Sequence, residues 1–270
     1  MKIGPSNLLS SHLKDLLKWR AIEESSEAYS RGRLFLAPKS NGLQSRPLYD
    51  ARKLNADIDW CAIPRHGKFH ILRPFFQILV GLGVGVERPM IAELDFTSYF
   101  LQFTWSPELA RAHTFVTRGK VYECRAPVQG SALMPLIAQT TTAILAESPH
   151  TTASPWEWVR SGTSIIYDNV MMSGDEKALR NRWSRILARC AEANVVVGDI
   201  QPPTHALVSC GLEYDVSNPQ DRRWRLSPAW AKKAAQWILD RQTHIPDSDR
   251  PVLAGVAQWA MSALLIPSAF

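Results

Sequence analysis

Cysteine is scarce in this chain and long apolar runs are absent. Four cysteines, Cys61, Cys124, Cys190 and Cys210, occur in 270 residues. None forms a CxxC pair or stands at zinc-finger spacing, which excludes a zinc module and a disulfide framework and fits a reducing compartment. No apolar run approaches the roughly 20 residues that span a membrane. The N-terminus, MKIGPSNLLSSHLKDLLKW, lacks both the continuous apolar core of a secretory signal and the Arg- and Ser-rich character of a transit peptide. The chain is therefore expected to be soluble and intracellular with no membrane partner; nucleus, cytoplasm and organelle are not distinguished. Internal repeats, low-complexity tracts and long linkers are missing too. HGKFH (66–70) has metal-like histidine spacing but no further ligand types around it, so a surface turn is expected.

What is present is ordinary globular material with a basic bias. Hydrophobic residues make up 46% and charged ones 21%, enough for a full core. A formal charge of +6 favours a polyanionic partner, because Lys and Arg on phosphates release condensed counterions. Leucines at helical spacing predict a helix over 6–23, and RLFLAPKSNGLQSRPLYDARKLNADI (33–58) reads as a basic hairpin turning at SNG. A helical stretch over 70–85 precedes PMIAELDFTSYFLQFTW (89–105), read as a buried strand with Asp95 at its end. A hairpin turning at RGK, a helix over 131–147 and a second hairpin, GTSIIYDNVMMSG (162–174), with Asp168 and Asn169 at its tip, come next. An amphipathic helix over 175–193 with a basic outer face, short strands in NVVVGDI, ALVSCGLEYDV and RRWRLSP, and apolar-periodic segments over 229–241 and 251–265 complete the chain. That order describes an α+β chain with antiparallel sheet.

Two aspartates in this pattern suit one chemistry. Joining nucleotides requires charge to be neutralised on the attacking hydroxyl and on the leaving pyrophosphate, which two carboxylate-held divalent ions accomplish. A strand-end Asp95 and a hairpin Asp168 in an apolar run fit that task, although caps and turns use isolated aspartates as well.

Several further segments agree, and together they make the sequence resemble the reverse transcriptases of retrotransposons and retroviruses. The 33–58 hairpin matches the family's "PK, turn, R, D-x-R-x-L-N" entry at Pro38, Lys39, Arg46, Asp50, Arg52, Leu54 and Asn55. LDFTSYFLQF (94–103) resembles its first catalytic motif, PVQGSALMPLIAQ (127–139) its Gln-Gly helix start, and IIYDNVMM its Y-x-D-D hairpin, with the Tyr one residue closer to Asp168. CGLEYDVSNPQDRRWRLSPAWAKKA (210–234) resembles the primer-grip hairpin and L-S-P helix, with Cys210 where Leu is usual; VLAGVAQWAMSALLIP (252–267) looks like the thumb helix that follows. The resemblance implies a right-hand polymerase fold: fingers with the N-terminal helix over 1–88, a palm over 89–215 with finger elements at about 106–130, and primer grip and thumb over 216–270.

It also implies roles. Asp95 and Asp168 would bind Mg²⁺ or Mn²⁺ with the Phe96 carbonyl, and Asn169 would be a weakened third ligand. Lys39 and Arg46 would hold the triphosphate of a deoxynucleotide, Phe100 would exclude a ribose 2′-hydroxyl, and Gln129 would touch the nucleotide. Gly130, Trp224, Arg225 and Leu226 would meet an RNA template and the primer strand. The lysine that family members carry before the LG pair is missing, with His205 and Lys177 as the stand-ins at hand.

Asn169 leaves two readings open. At 4 Å and an effective dielectric near 20 a unit charge pair is worth about 4 kcal/mol, so losing the second acid lowers the rate on the order of 10²- to 10³-fold. The first reading is an RNA-directed DNA polymerase that retains activity. The alternative is a domesticated reverse-transcriptase fold that no longer polymerises and serves as an RNA-binding or scaffolding subunit of a larger ribonucleoprotein assembly.

Overall fold

A computed structural model describes residues 5–27, 29, 32–38, 45–59, 88–147, 162–218, 223–240, 249–250 and 253–256. The chain divides into two compact units, Met1–Arg65 with Thr97–Thr141, and His66–Phe96 with Thr142–Phe270. The expected helix over 70–85, the HGKFH turn, the SNG turn and most of the 251–265 segment lie outside the described residues.

The first unit opens with helix α1 (Pro5–Lys18), which buries Leu13 and Leu16. The helix was expected to reach residue 23, but it stops at a Schellman turn. The Ala21 N–H reaches the Leu16 carbonyl at 2.9 Å and the Arg20 N–H the Leu17 carbonyl at 3.0 Å, with Arg20 left-handed at φ 55°. No glycine marks this stop, so the sequence hides it. Ile22 instead begins β1 (Ile22–Ser25), which joins β6 (Lys120–Cys124) and β5 (Thr114–Thr117) in an antiparallel sheet of order β1-β6-β5. The RGK turn lies where expected. Arg118 and Gly119 both take positive φ, 52° and 75°, which matches the right-handed twist of the flanking strands.

A second ladder pairs β2 (Leu34–Pro38) with β3 (Ser45–Tyr49), and helix α2 (Arg52–Ala56) follows. Helix α3 (Pro107–Ala112) starts at Ser106, whose hydroxyl accepts from the Leu109 N–H, with Pro107 in the first turn where its missing N–H costs nothing. Leu16, Ile22, Tyr49, Phe115, Tyr122 and Met134 share one buried cluster. Gly130 is fixed by two constraints: its φ is +135°, and a Cβ there would lie 1.9 Å from the Tyr49 carbonyl oxygen. Helix α4 (Met134–Leu145) comes next.

The second unit is built on β4 (Pro89–Phe96), the most buried strand in it. Its sheet has the order β7-β8-β4-β9, with β7 Thr163–Ile166, β8 Asn169–Asp175 and β9 Val197–Thr204. All of its ladders are antiparallel. β4 meets β8 without interruption from Pro89↔Asp175 to Asp95↔Asn169. Against β9 it advances two residues while β9 advances three, once across Pro202 and Pro203 and once across Gly198 and Asp199. Two adjacent prolines fit only on an edge strand, the place β9 occupies.

Helix α5 (Glu176–Glu192) packs on β4, β8 and β9 through Leu179, Trp183, Ile186 and Cys190. Asp175 caps it, accepting from the Ala178 N–H at 2.9 Å. One of its arginines is not a solvated group. Arg182 Nη1 donates to the Gly162 carbonyl at 3.1 Å, and burial lowers its basicity. The other sheet, β10 (Ala206–Ser209), β11 (Leu212–Asp215) and β12 (Arg223–Leu226), shares a core with Ile91 and Met171. Ser227 and Pro228 start α6 (Pro228–Leu239). The α+β class and the antiparallel sheets agree with the sequence reading. Among the described residues no helix is long and apolar enough to cross a membrane.

Gly130→Ala is expected to lower stability by roughly 2–4 kcal/mol, the range of severe backbone substitutions. Gly119→Asn, with nothing within 4 Å of its Cβ and a left-handed φ that Asn tolerates, should stay within about 1 kcal/mol. Denaturant unfolding of the two variants checks this; equal losses would contradict the close approach at Tyr49.

Candidate functional site

The exit of β4 gathers the acids. Ile91, Glu93 and Asp95 alternate onto one face of the strand, so Asp95 emerges at the end of a buried run while Glu93 stays inside. Asp95 pairs in register with Asn169. The expected hairpin forms, with one refinement: its two turn residues are Tyr167 and Asp168, and Asn169 is already the first residue of β8.

This turn is held from both sides. Thr142 Oγ1 donates to the Tyr167 carbonyl at 2.6 Å, and the Phe96 N–H donates to the Asp168 carbonyl at 2.9 Å. Tyr167 sits at φ 56°, a left-handed conformation that an aromatic side chain adopts at a cost of about 1–2 kcal/mol. Rigid support of this kind suits a side chain that must be placed accurately, as Asp168 would be.

The electrostatics of the exit are those of crowded negative charge. Burial first, and then the charges of Asp168, Asp199 and Glu93, push the Asp95 carboxyl up to about 6. The groups that the resemblance assigns to a metal, the Asp95 and Asp168 carboxylates, the Phe96 carbonyl and the Asn169 amide oxygen, are all hard oxygens, the donor type a magnesium-type cation takes. Among the described residues no three His, Cys, Asp or Glu side chains converge closely enough to hold a metal ion by themselves. A cation here would therefore complete its shell with water or substrate oxygens.

Behind Asp95 the sequence reading missed a polar cluster. Glu93 is buried at 7% exposure, and its Oε1 accepts from Ser209 Oγ at 2.5 Å and from the Asn169 amide nitrogen. Its Oε2 accepts from Gln201 Nε2 at 2.5 Å. The one available signal was the ELD spacing, which sets Glu93 and Asp95 on the same strand face. Ser209 and Gln201 carry no local signal, because only tertiary pairing brings them to Glu93.

The remaining candidates are carried by other elements. Lys39 lies outside the described residues. In the first unit, Arg46 is exposed on β3, and Gln129 bridges Leu48 on the same strand while its carbonyl accepts from the Tyr49 N–H at 2.7 Å. Phe100 sits on a short 3₁₀ helix (Tyr99–Gln102), half-buried against that unit's core. Asn55 ties the Gly130 loop down: its Nδ2 donates to the Gly130 carbonyl at 3.0 Å and its Oδ1 accepts from the Ala132 N–H at 2.9 Å. Arg52 grips Asp50 through both carboxylate oxygens, at 2.8 and 2.7 Å, and these bonds hold the Asp50 carboxyl down at about 2. Asp50, Arg52, Asn55 and Gly130, with Arg33, line a surface depression of about 520 Å³.

In the second unit, Trp224 and Leu226 face the core shared with Tyr214, while Arg225 is exposed and forms a two-pronged pair with Glu213 at 3.0 Å. His205 bonds the Pro89 carbonyl at 3.0 Å, and Lys177 lies in the first turn of α5, just past Asp175. Pro89 and Asp175 pair at the end of the ladder remote from Asp95, so neither residue replaces the missing lysine there.

No family model matches the chain, and no curated protein matches it in sequence. Solved structures do. The foamy viral protease-reverse transcriptase in complex with dsDNA superposes with a TM-score of 0.68 at 15% identity, covering 96% of this chain and 48% of that one. The same protein in complex with an RNA/DNA hybrid gives 0.62 at 15% identity, covering 87% and 29%. Native prototype foamy virus protease-reverse transcriptase gives 0.60 at 17% identity, covering 96% and 34%. This chain thus spans less than half the length of those proteins. The chain has a reverse-transcriptase-like polymerase fold.

Proposed function

We propose that this chain adds deoxynucleotides to a primer 3′ end on a nucleic-acid template, by phosphoryl transfer centred on Asp95 and Asp168. The observation that carries the reading is the pair itself: Asp95 at the exit of a buried interior strand and Asp168 in the turn bonded to that exit, on a fold similar to polymerases solved with dsDNA and with an RNA/DNA hybrid. Asp95, Asp168 and the Phe96 carbonyl would hold magnesium, which supplies charge neutralisation for the attacking and leaving oxygens. Asp168 is presented by a turn whose two carbonyls are bonded, so the backbone that carries it is already ordered before a ligand is engaged. Arg46 and Lys39 offer positive charge for the triphosphate, as the resemblance implies. Phe100 presents a bulky ring suited to rejecting a ribose 2′-hydroxyl, and Gln129 and Gly130 form the backbone stretch beside β3 that would lie along the nucleotide. The β11–β12 hairpin is assigned to the primer strand, with Arg225 as its exposed side chain and the half-buried Trp224 and Leu226 fixing it to the core.

A second reading is favoured by one observation, the commitment of the Asn169 amide to Glu93. On that reading the fold binds RNA duplex or an RNA-containing assembly without polymerising.

Extension of a primed RNA template with Mg²⁺ or Mn²⁺ separates the two. The polymerase reading expects extension by the wild type and a loss of at least about 10³-fold in Asp95→Ala and in Asp168→Ala. Metal-independent duplex binding by a chain that extends nothing, with Asp95→Ala harmless, would establish the scaffold instead. In an active enzyme, Phe100→Val should raise ribonucleotide incorporation on the order of 10-fold or more, measured as the ratio of kcat/KM values for the two sugars.

The raised Asp95 carboxyl gives a check that needs no turnover. Its folded value, about 6, exceeds its ordinary 3.8, so the folded state binds this proton more tightly than the unfolded chain does. The stability it contributes is fully present below about 3.8 and is lost as pH rises through about 6. The Tm difference between wild type and Asp95→Asn should change across that window and level off above it. At pH 7.5, Mg²⁺ should raise the Tm of the wild type and leave that of Asp95→Asn unchanged.

A further inference from the structure

Asn169 stands opposite Asp95, yet its amide nitrogen bonds along the ladder to Glu93, the diagonal neighbour two residues back on β4. Such diagonal positions lie within reach of extended side chains on one face of an antiparallel pair. Glu93 is buried, and a buried carboxylate persists only where donors replace the water it has lost. Its donors come from three strands: Asn169 on β8, Gln201 on β9 and Ser209 on β10. No cation is among these three, so each neutral donor matters. An aspartate at position 169 would turn the β8 donor into a second acceptor carrying charge. It would then face the Glu93 carboxylate inside a sheet sandwich.

We infer that Asn169 and Glu93 are a matched pair: Glu93 is a buried acid on the sheet face that Asn169 shares, and the Asn169 amide is the donor that allows it to stay buried. Asn169 is a positioning residue. With Nδ2 engaged, Oδ1 is the one polar side-chain atom it can turn towards a ligand beside Asp95 and Asp168; this last clause rests on the polymerase reading, and the pair itself does not. Asparagine at 169 is accordingly required by the interior of this chain, and restoring an aspartate there does not restore a site.

Thermal unfolding of wild type, Asn169→Asp, Glu93→Gln and Asn169→Asp/Glu93→Gln, at pH 8 without divalent metal, tests the pair. Asn169→Asp is expected to lower Tm by roughly 4–8 °C, on the scale of a severe buried substitution. Glu93→Gln should also lower it, because the new amide meets other amide donors. The double variant reverses the direction of the hydrogen bond, Gln donating to Asp, and should recover at least half of the Asn169→Asp loss. A wild-type Tm for Asn169→Asp overturns the inference, as does a double variant no more stable, or no more able to fold, than Asn169→Asp. Primer extension on the same four proteins keeps the two proposals apart. Coupled stabilities with no extension in any protein leave the pair intact and remove the polymerase reading; extension that rises in Asn169→Asp, with no loss of Tm, removes the pair alone.

Discussion

The register between β4 and β8 is the constraint on which the second unit depends. Side chains alternate between the two faces of a strand, so a slip of one residue would move every group on β8 to the wrong side. In the observed register Val170 and Met172 are buried on one face, while Asn169 and Met171 fall on the other. The same register sets Asn169 opposite Asp95 and within diagonal reach of Glu93, and brings the Asp168 carbonyl to the Phe96 amide. The apolar pattern that stabilises the sheet thus also determines which polar groups meet at its end.

Two kinds of buried charge result from this arrangement, and they are managed differently. Glu93 is surrounded by donors and is a structural carboxylate in the interior. Asp95, only half-buried, has other acids as its nearest charged influences, and their repulsion adds to the effect of burial. Interior groups satisfied on all sides tend to specify structure, whereas groups left under electrostatic tension at a strand exit are the ones poised for a ligand. A difference of two positions along one strand separates those roles here.

Much of the fold was legible because its signals are local. The RGK turn, the 175–193 helix and the buried run ending at Asp95 each announce themselves through glycine, helical periodicity or continuous hydrophobicity. The Leu-Ser-Pro read at 226–228 marks a real helix start in the same way, whereas the helix that begins at Ser106 and Pro107 was not among the expected elements. What stayed hidden was non-local or unmarked. Arg20 closes α1 in a conformation usually given to glycine, so β1 was read as helix. Arg182 looked like one more basic residue on an outer face, and only the fold shows it bonded to Gly162. The partners of Glu93 lie 76, 108 and 116 residues away, beyond the reach of any spacing argument.

The prolines of β9 have a further consequence, one of solubility. Val196, Ile200 and Val208 are exposed apolar residues near a sheet edge that no further strand pairs among the described residues, a combination that invites another chain to add a strand. At Pro202 and Pro203 that edge offers no N–H, and the two extra residues of β9 break the even spacing an incoming strand would need. A flat, regular β9 in the same place would be a template for assembly. As built, the strand completes its own sheet and closes it to others.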